Sequence, residues 1–237
     1  MRDKNYTLNL PQVDIVFNQA NLSSELILIT GGRKPNDKWF HTLQRDRPIY
    51  CVDHGIDFCV DNNIVPKLLI GDCDSAATNS VKWAMNRGVA MERHPVDKDF
   101  TDTQLALKHI EARSDTFAII TGAFGGRTDH LFSTIFSCAN AKIKNCLIDE
   151  REAVIFIKDY EHIAIEFKIR PIALSLLPIT SNCKGVTIDG VHWPIKDTEL
   201  LQSIPYAISN RIESGVVNIS IDSGILAVYL CFKENIL

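Results

Sequence analysis

An α/β domain followed by an all-β domain is the fold class that this sequence predicts, and three observations carry it. Between residues 26 and 122, short apolar runs alternate with helix-like stretches. From about residue 146 the runs become β-branched and closely spaced, punctuated by Gly, Asp, Asn and Pro. In the first half, glycines and aspartates collect at the carboxyl ends of the apolar runs. Alternating strands and helices imply a mostly parallel, three-layer, Rossmann-like sheet with helices on its faces. Short strands separated by frequent turn residues imply a β-sandwich. The expected division is therefore 1–145 and 146–237, although the first 24 residues carry no readable pattern.

The elements follow in order. "LILIT" (26–30) reads as a buried strand ending in Gly31-Gly32, and "DKWFHTLQR" as a helix. "IYCVD" (49–53) and "KLLIGD" (67–72) are strands that end in Asp53 and Asp72. "NSVKWAMNRG" is a helix with Gly88 as its stop, and "VAMERH" a short strand. Thr101 and Gln104 have capping-box spacing, which starts a helix at Asp102. "TFAIITG" (116–122) is a strand, and a Gly-rich turn then feeds a helix with Leu131, Ile135 and Ala139 on one face. "CLID", "AVIFIK", "HIAIEFK", "IALSLLP", "GVTID", "VVNISI" and "ILAVYLCF" are the strands of the second domain.

With 237 residues the chain has room for two domains. Hydrophobic residues make up 46% and charged ones 23%, the composition of an ordinary globular protein. A net charge of −4 argues against a nucleic-acid partner held by a broad basic face. The seven cysteines are odd in number and form no CxxC pair, so reduced thiols fit better than a zinc site or a disulfide framework. "MRDKNYTLNL" has no signal-peptide core, and no apolar run reaches membrane-spanning length. A cytoplasmic protein without a membrane partner is expected.

"GDCDS" (71–75) places Asp72 and Asp74 two residues apart at a strand end. Like charges there need a metal ion, a lysine or arginine, or water. Asp97, Asp99 and Asp102 gather before a helix, and Asp53 ends another strand. Oxygen ligands from several loops suit Mg²⁺, which shares its coordination with substrate phosphates. Each aspartate taken singly is equally well a helix cap or a turn residue, Asp102 above all. "GAFGGRTDH" sets glycines, whose N–H groups can cradle phosphate, before a helix N-terminus, with Arg127 suited to phosphate oxygens. The loop is neither GxGxxG nor GxxxxGK[ST], so no dinucleotide or P-loop assignment follows. Together with Lys98 as a mobile cation, these are the parts of an enzyme that uses Mg²⁺ and phosphates. The residues alone do not name the acceptor. A phosphohydrolase, a nucleotidyltransferase or a nucleotide-sensing module stays open at this level.

At these residues the sequence resembles the thiamine pyrophosphokinase family. "GDCDS" is similar to that family's GDxDS, "DKDFTD" (97–102) to DKDxTD, "GGRTDH" (125–130) to GGRxDH, and "ISN" (208–210) to its SN motif. Each motif is modestly specific, but all four occur in the family's order and span most of the chain. The resemblance implies transfer of pyrophosphate from ATP to thiamine by a homodimer. It implies Asp72 and Asp74 on Mg²⁺, with Asp53 and Asp102 completing the acidic set and Asp102 as candidate base. It also implies Lys98 on the ATP phosphates, Thr101 fixing its loop, and Gly125, Gly126, Arg127 and Asp129 holding the nucleotide. Ser209 and Asn210 would serve the thiamine side, with Trp193 in "GVHWPI" as a further candidate. One departure is "VDHGID": the family often has a glycine pair after the aspartate, and here His54 precedes Gly55. Cys73 fills the variable position of GDxDS.

Overall fold

The parallel strands of the first half are runs of Ile, Leu, Val and Phe with almost no polar interruption, as expected where both faces of a sheet are covered. In the computed structural model, which describes residues 5–18, 20–73, 76–95, 99–113 and 115–233, every residue of the strand Thr116–Thr121 is buried. Each Ile or Phe so buried contributes about 1.5–3 kcal/mol over leaving it in water.

The elements are β1 (Tyr6–Asn9), β2 (Val13–Phe17), β3 (Ser24–Ile29), α1 (Asp37–Gln44), β4 (Ile49–Val52), α2 (Gly55–Asp61), β5 (Leu68–Gly71), α3 (Thr78–Asn86), β6 (Ala90–Arg93) and α4 (Asp102–Glu111). They continue with β7 (Thr116–Thr121), α5 (Thr128–Asn140), β8 (Asn145–Ile148), β9 (Glu152–Lys158), β10 (His162–Phe167), β11 (Ala173–Pro178), β12 (Asn182–Asp189), β13 (Ile195–Leu201), β14 (Val216–Ser220) and β15 (Ile225–Cys231). Ser23–Asp149 forms one unit; the segments before and after it form the other.

In the unit Ser23–Asp149 the strands pair in parallel in the order β8-β7-β3-β4-β5-β6. The chain steps outward from β3 to β6, then returns to the other side of β3 to lay down β7 and β8. Because parallel crossovers are right-handed, that reversal sends the helices after it to the opposite face. The packing agrees: α2 lies against α3, and α4 against α5. At such a reversal the connections from neighbouring strands leave towards opposite faces, and a ligand crevice lies outside the carboxyl ends of the strands there.

The helices start where the sequence predicts. Asn36 caps α1 by accepting from the Trp39 N–H, at 3.2 Å. Thr101 and Gln104 form the capping box of α4: Gln104 N–H donates to the Thr101 hydroxyl at 3.3 Å, and Thr101 N–H to the Gln104 side chain at 2.9 Å. One helix, α2, carries no signal in the sequence. It begins at glycine, has no side-chain cap and is buried over Gly55–Cys59. Tertiary packing forms it: a Cβ on Gly55 would stand 2.2 Å from the Ile29 carbonyl oxygen, and Phe58 meets Phe40 edge-on at 4.8 Å.

The other unit is all β. Strands β1-β2-β10-β14-β12-β13 form an antiparallel sheet, and β11-β15-β9 a second antiparallel set. Along β2, β10 and β14 the buried residues alternate, Val13, Ile15 and Phe17, then Ile163 and Ile165, then Val217 and Ile219. Such alternation marks a sheet with one face in the core.

Two placements differ from the sequence-based division. "CLID" is β8, the last parallel strand, pairing Ile119 with Cys146, and not the first strand of the β unit. A short buried apolar run looks the same in either kind of sheet, and only the crossover through α5 assigns it. The chain before Ser23 belongs with the β unit and not with the α/β unit, because β2 pairs with β10 in the register Ile163–Phe17 to Phe167–Val13. Among the described residues no helix is long and apolar enough to cross a membrane.

Candidate functional site

The carboxyl ends of the parallel strands open into a cleft of about 710 Å³. Thr30, Gly31 and Gly32 reach it from β3, Asp53 and His54 from β4, and Asp72 from β5. Asp99 to Thr103 line it at the start of α4, Gly122, Ala123, Gly125, Gly126 and Arg127 after β7, and His130 and Thr134 on α5. Most of this wall lies at the loops that the sequence singles out.

Three carboxylates converge there. One oxygen from each of Asp53, Asp72 and Asp102 lies within 4.8 Å of the others, and all three residues are partly buried. The backbone makes this possible. Gly71 sits at φ 132°, and a Cβ there would stand 1.8 Å from Asp53 Oδ1 and 3.2 Å from Asp102 Oδ1. Only glycine lets the two carboxylates close over the end of β5. Asp53 itself takes φ 43°, and the Cys73 N–H donates to its Oδ1 at 3.3 Å.

Burial, and then the neighbouring charge of Asp102, push the Asp53 pKa up to about 7. The Cys73 N–H pulls the other way, and a hydrogen bond with Asp102 raises it further. Such crowding is relieved either by the proton that Asp53 holds or by a cation in its place. The donors are hard oxygens from three different loops, the set that a divalent ion such as Mg²⁺ or Ca²⁺ accepts and that zinc or copper sites seldom use. Of the other predicted members of this set, Asp74, Asp97 and Lys98 lie outside the described residues.

The opposite wall is a glycine cradle. Gly125 and Gly126 take φ 71° and 67°, turning the chain tightly into the N-terminus of α5. Two main-chain bonds tie this loop to the end of β3: Gly32 N–H to the Gly122 carbonyl and Arg33 N–H to the Phe124 carbonyl, each 2.6 Å. Arg33 then fastens both to the end of β8. Its Nε and Nη2 donate to Asp149 Oδ2 at 2.9 and 2.5 Å, and Asp149 is 1% exposed. Sequence reasoning misses this pair. A signal existed in the charged residues that follow "LILITGG" and "CLI", but nothing local says that they meet.

Arg127, at the N-cap of α5, lines the cleft with its side chain in solvent. It grips Asp129 with two bonds, 3.1 and 2.6 Å, and that contact holds the Asp129 carboxyl below its ordinary pKa. Asp129 is exposed and does not itself line the cleft. His54, the departure noted in the sequence, does line it. Its Cβ is 2.9 Å from where a Gly31 Cβ would be, and its Nδ1 is 3.2 Å from Asp57 Oδ2.

The three remaining site residues belong to the β unit. An apolar pocket of about 350 Å³ there is lined by Leu174, Leu176, Ile188, Ile195, Tyr206, Ile208, Trp193 and Asn210, among others. Trp193 is 52% exposed and Asn210 only 7%. Ser209 is exposed at φ 58°, its N–H donating to Ser175 Oγ at 3.0 Å, and it is not part of the pocket wall. Tyr206 and Ile208, both exposed to solvent, are wall residues that sequence reasoning passes over.

Comparison with known proteins agrees with both units. Residues 40–148 match the family model described as thiamin pyrophosphokinase, catalytic domain, and residues 162–226 the model for its vitamin B1 binding domain. The thiamine pyrophosphokinase of Bacillus subtilis is 26% identical over 178 residues, 74% of this chain and 83% of that one. Thiamine pyrophosphokinase 1 of Oryza sativa is 26% identical over 171 residues, 68% of this chain and 64% of that one. The fold matches the crystal structure of the B. subtilis enzyme with a TM-score of 0.78 at 21% identity, covering 89% of this chain and all of that one. It matches that of the yeast enzyme with a TM-score of 0.72 at 17% identity, covering 87% and 86%. Two models of one family, in order along the chain and together spanning well over half of it, leave a single assignment: the chain belongs to the thiamine pyrophosphokinase family.

Proposed function

We infer that the chain is a thiamine diphosphokinase, which moves the terminal pyrophosphoryl group of ATP onto the hydroxyethyl arm of thiamine and releases AMP. The observation that carries this reading is the convergence of Asp53, Asp72 and Asp102 opposite a glycine cradle, in a chain that matches both domain models of the family.

The residues divide the work. Gly125 and Gly126 leave their N–H groups open to the nucleotide phosphates, beside the positive end of α5. Arg127 adds a guanidinium for phosphate oxygens, and Asp129 keeps it aimed. Thr101 holds α4 in place through its capping box, so that Asp102 projects from the first turn. Asp53, Asp72 and Asp102, with Asp74 from the same motif, are the proposed ligands of Mg²⁺, which when bound offsets charge on the phosphates. Lys98 we assign to the phosphates. In the β unit, Trp193 offers an aromatic face to thiamine over an apolar floor. Ser209 and Asn210 serve the same side.

The reaction is a direct displacement. The thiamine hydroxyl oxygen bonds to the β-phosphorus, the bond from that phosphorus to the α-phosphate oxygen breaks, and AMP departs with the electron pair. The hydroxyl proton passes to a carboxylate, which we assign to Asp102. We read the parallel sheet as Rossmann-like and the working form as a cytoplasmic homodimer, in line with the family resemblance.

The test is one incubation with ATP, Mg²⁺ and thiamine, separated by chromatography. Equal amounts of AMP and thiamine diphosphate, both abolished by EDTA, are expected. ADP or free phosphate in place of AMP, or AMP formed without thiamine, would overturn the reading.

A further inference from the structure

Residues Val191–Trp193 run antiparallel to Asn210–Ile212 as a short ladder: Val191 bridges Ile212, and the His192 N–H donates to the Arg211 carbonyl at 2.9 Å. The ladder should end at Trp193, since Pro194 has no N–H to continue it. Trp193 would then leave its own N–H and carbonyl unpaired. The Asn210 side chain takes both. Its Oδ1 accepts from the Trp193 N–H at 3.0 Å, and its Nδ2 donates to the Trp193 carbonyl at 2.8 Å. The same Oδ1 accepts from the Arg211 N–H at 2.9 Å. One primary amide thus stands in for a main-chain peptide and extends the ladder by one residue.

Asn210 is itself fixed. Its backbone exchanges two hydrogen bonds with Leu174, at 2.7 and 2.9 Å, and it is 7% exposed. Both acceptor sites of its carboxamide oxygen and one of its two amide hydrogens are already committed within the protein. Trp193 is the reverse case. Its peptide is clamped, while its indole is half exposed at the pocket, with the Arg211 guanidinium 5.2 Å from the ring and His192 edge-on at 4.5 Å.

We propose that Asn210 is a positioning residue that acts on thiamine through Trp193: its amide holds the Trp193 peptide and thereby aims the indole at the substrate. The proposal rests on the reading that this pocket takes thiamine, and it changes the part played by Asn210 from contact to support. Asn210 and Ser209, neighbours in one motif, then have separate tasks, since Ser209 is exposed and is not part of the pocket wall.

The test is a double-mutant cycle of Trp193→Ala and Asn210→Ala in the full chain, read as KM for thiamine, KM for ATP and kcat. Each single variant should raise KM for thiamine about tenfold, the size of an orienting interaction worth one or two hydrogen bonds, and leave KM for ATP unchanged. The double variant should be no worse than the worse single one, because both remove the same interaction. Fold-changes that multiply would overturn the proposal and make Asn210 a direct contact. An Asn210→Ala enzyme with unaltered KM for thiamine, beside a Trp193→Ala enzyme with a raised one, would overturn it while sparing the pocket. Unaltered KM for thiamine in Trp193→Ala would overturn the pocket reading itself. An independent readout is the fluorescence of Trp193, taken as the difference from Trp193→Phe: in Asn210→Ala its emission should shift to the red and quench more readily with acrylamide, and no shift would count against the clamp. Should Asn210→Ala not fold, Asn210→Asp, which sets a carboxylate oxygen against the Trp193 carbonyl in place of the donor, takes its place, with the same expected direction and the same overturning results.

Discussion

The acidic cleft of the α/β unit and the apolar pocket of the β unit are built on opposite principles. In the cleft, functional groups crowd together at a cost: three carboxylates share one small volume, and Asp53 keeps its proton up to about pH 7 because burial and Asp102 penalise its charge. The pocket carries no such tension. There Leu174, Leu176, Ile188 and Ile195 supply a floor, and a neutral amide hydrogen-bonded to the Trp193 peptide backs the aromatic residue. A site that gathers like charge needs a proton or a cation to relieve it. A site that gathers apolar surface is complete as folded.

The largest effect that would sharpen this contrast is on turnover. Asp72→Asn should cost on the order of a hundredfold or more in kcat, as loss of a transition-state electrostatic partner does, with an unchanged circular dichroism spectrum. Near-normal turnover at saturating Mg²⁺ would mean that the cleft does not work through its charge. Next in size is the scaffold beneath the cradle. Asp149→Ala removes the buried carboxylate that holds Arg33 and should destabilise the protein by about 3–5 kcal/mol in urea unfolding, with KM for ATP rising in whatever folds. If the loss were confined to stability, the pair would not be aiming the glycine loop.

A smaller effect is the pH dependence of the metal-free protein. The folded-state pKa of Asp53 is raised from the ordinary 3.8 to about 7. Between those values the folded protein holds a proton that the unfolded chain has released, so stability falls as pH rises through that window. Thermal unfolding in EDTA should show this slope, Asp53→Asn should flatten it, and added Mg²⁺ should offset it most at the upper end. A slope of the opposite sign would mean that the cluster is not strained. The smallest effect belongs to the Arg127–Asp129 pair, which is solvent-exposed and worth little to the fold. Asp129→Asn should leave the unfolding midpoint where it is and raise KM for ATP only severalfold; a clear drop in the midpoint would show that the pair is structural.

Much of the α/β unit is legible in the sequence because its signals are local. Thr101 and Gln104 announce α4 at the correct residue, Gly88 follows α3, and each apolar run between 26 and 122 is a strand. What escapes has either no local signal or a partner far away in the chain. Helix α2 starts at a glycine without a cap and exists because it packs under β3 and β4. β13 is mostly exposed, carries Lys196, Asp197 and Glu199, and breaks register twice in its pairing with β12, so no alternation marks it. β1 and β2 lie some 150 residues from the strand that β2 pairs with. Arg33 and Asp149 are likewise distant in sequence and meet only through the strand order.

By itself the sequence determined the kinds of element, the residues at their ends and, through four ordered motifs, the family. These depend on interactions between residues a few positions apart: caps, turns, and the period of apolar side chains. Which ends meet was decided by tertiary structure alone. The placing of β7 beside β3 brings Gly122 to Gly32, and the order β3-β4-β5 brings Asp53 to Asp72. The same holds for the Asn210 amide, whose side chain any sequence reading would offer to a ligand. Only the fold shows it spent on the peptide of Trp193, because hydrogen bonds are short and directional, and a donor is committed only by what the folded chain puts within 3 Å of it.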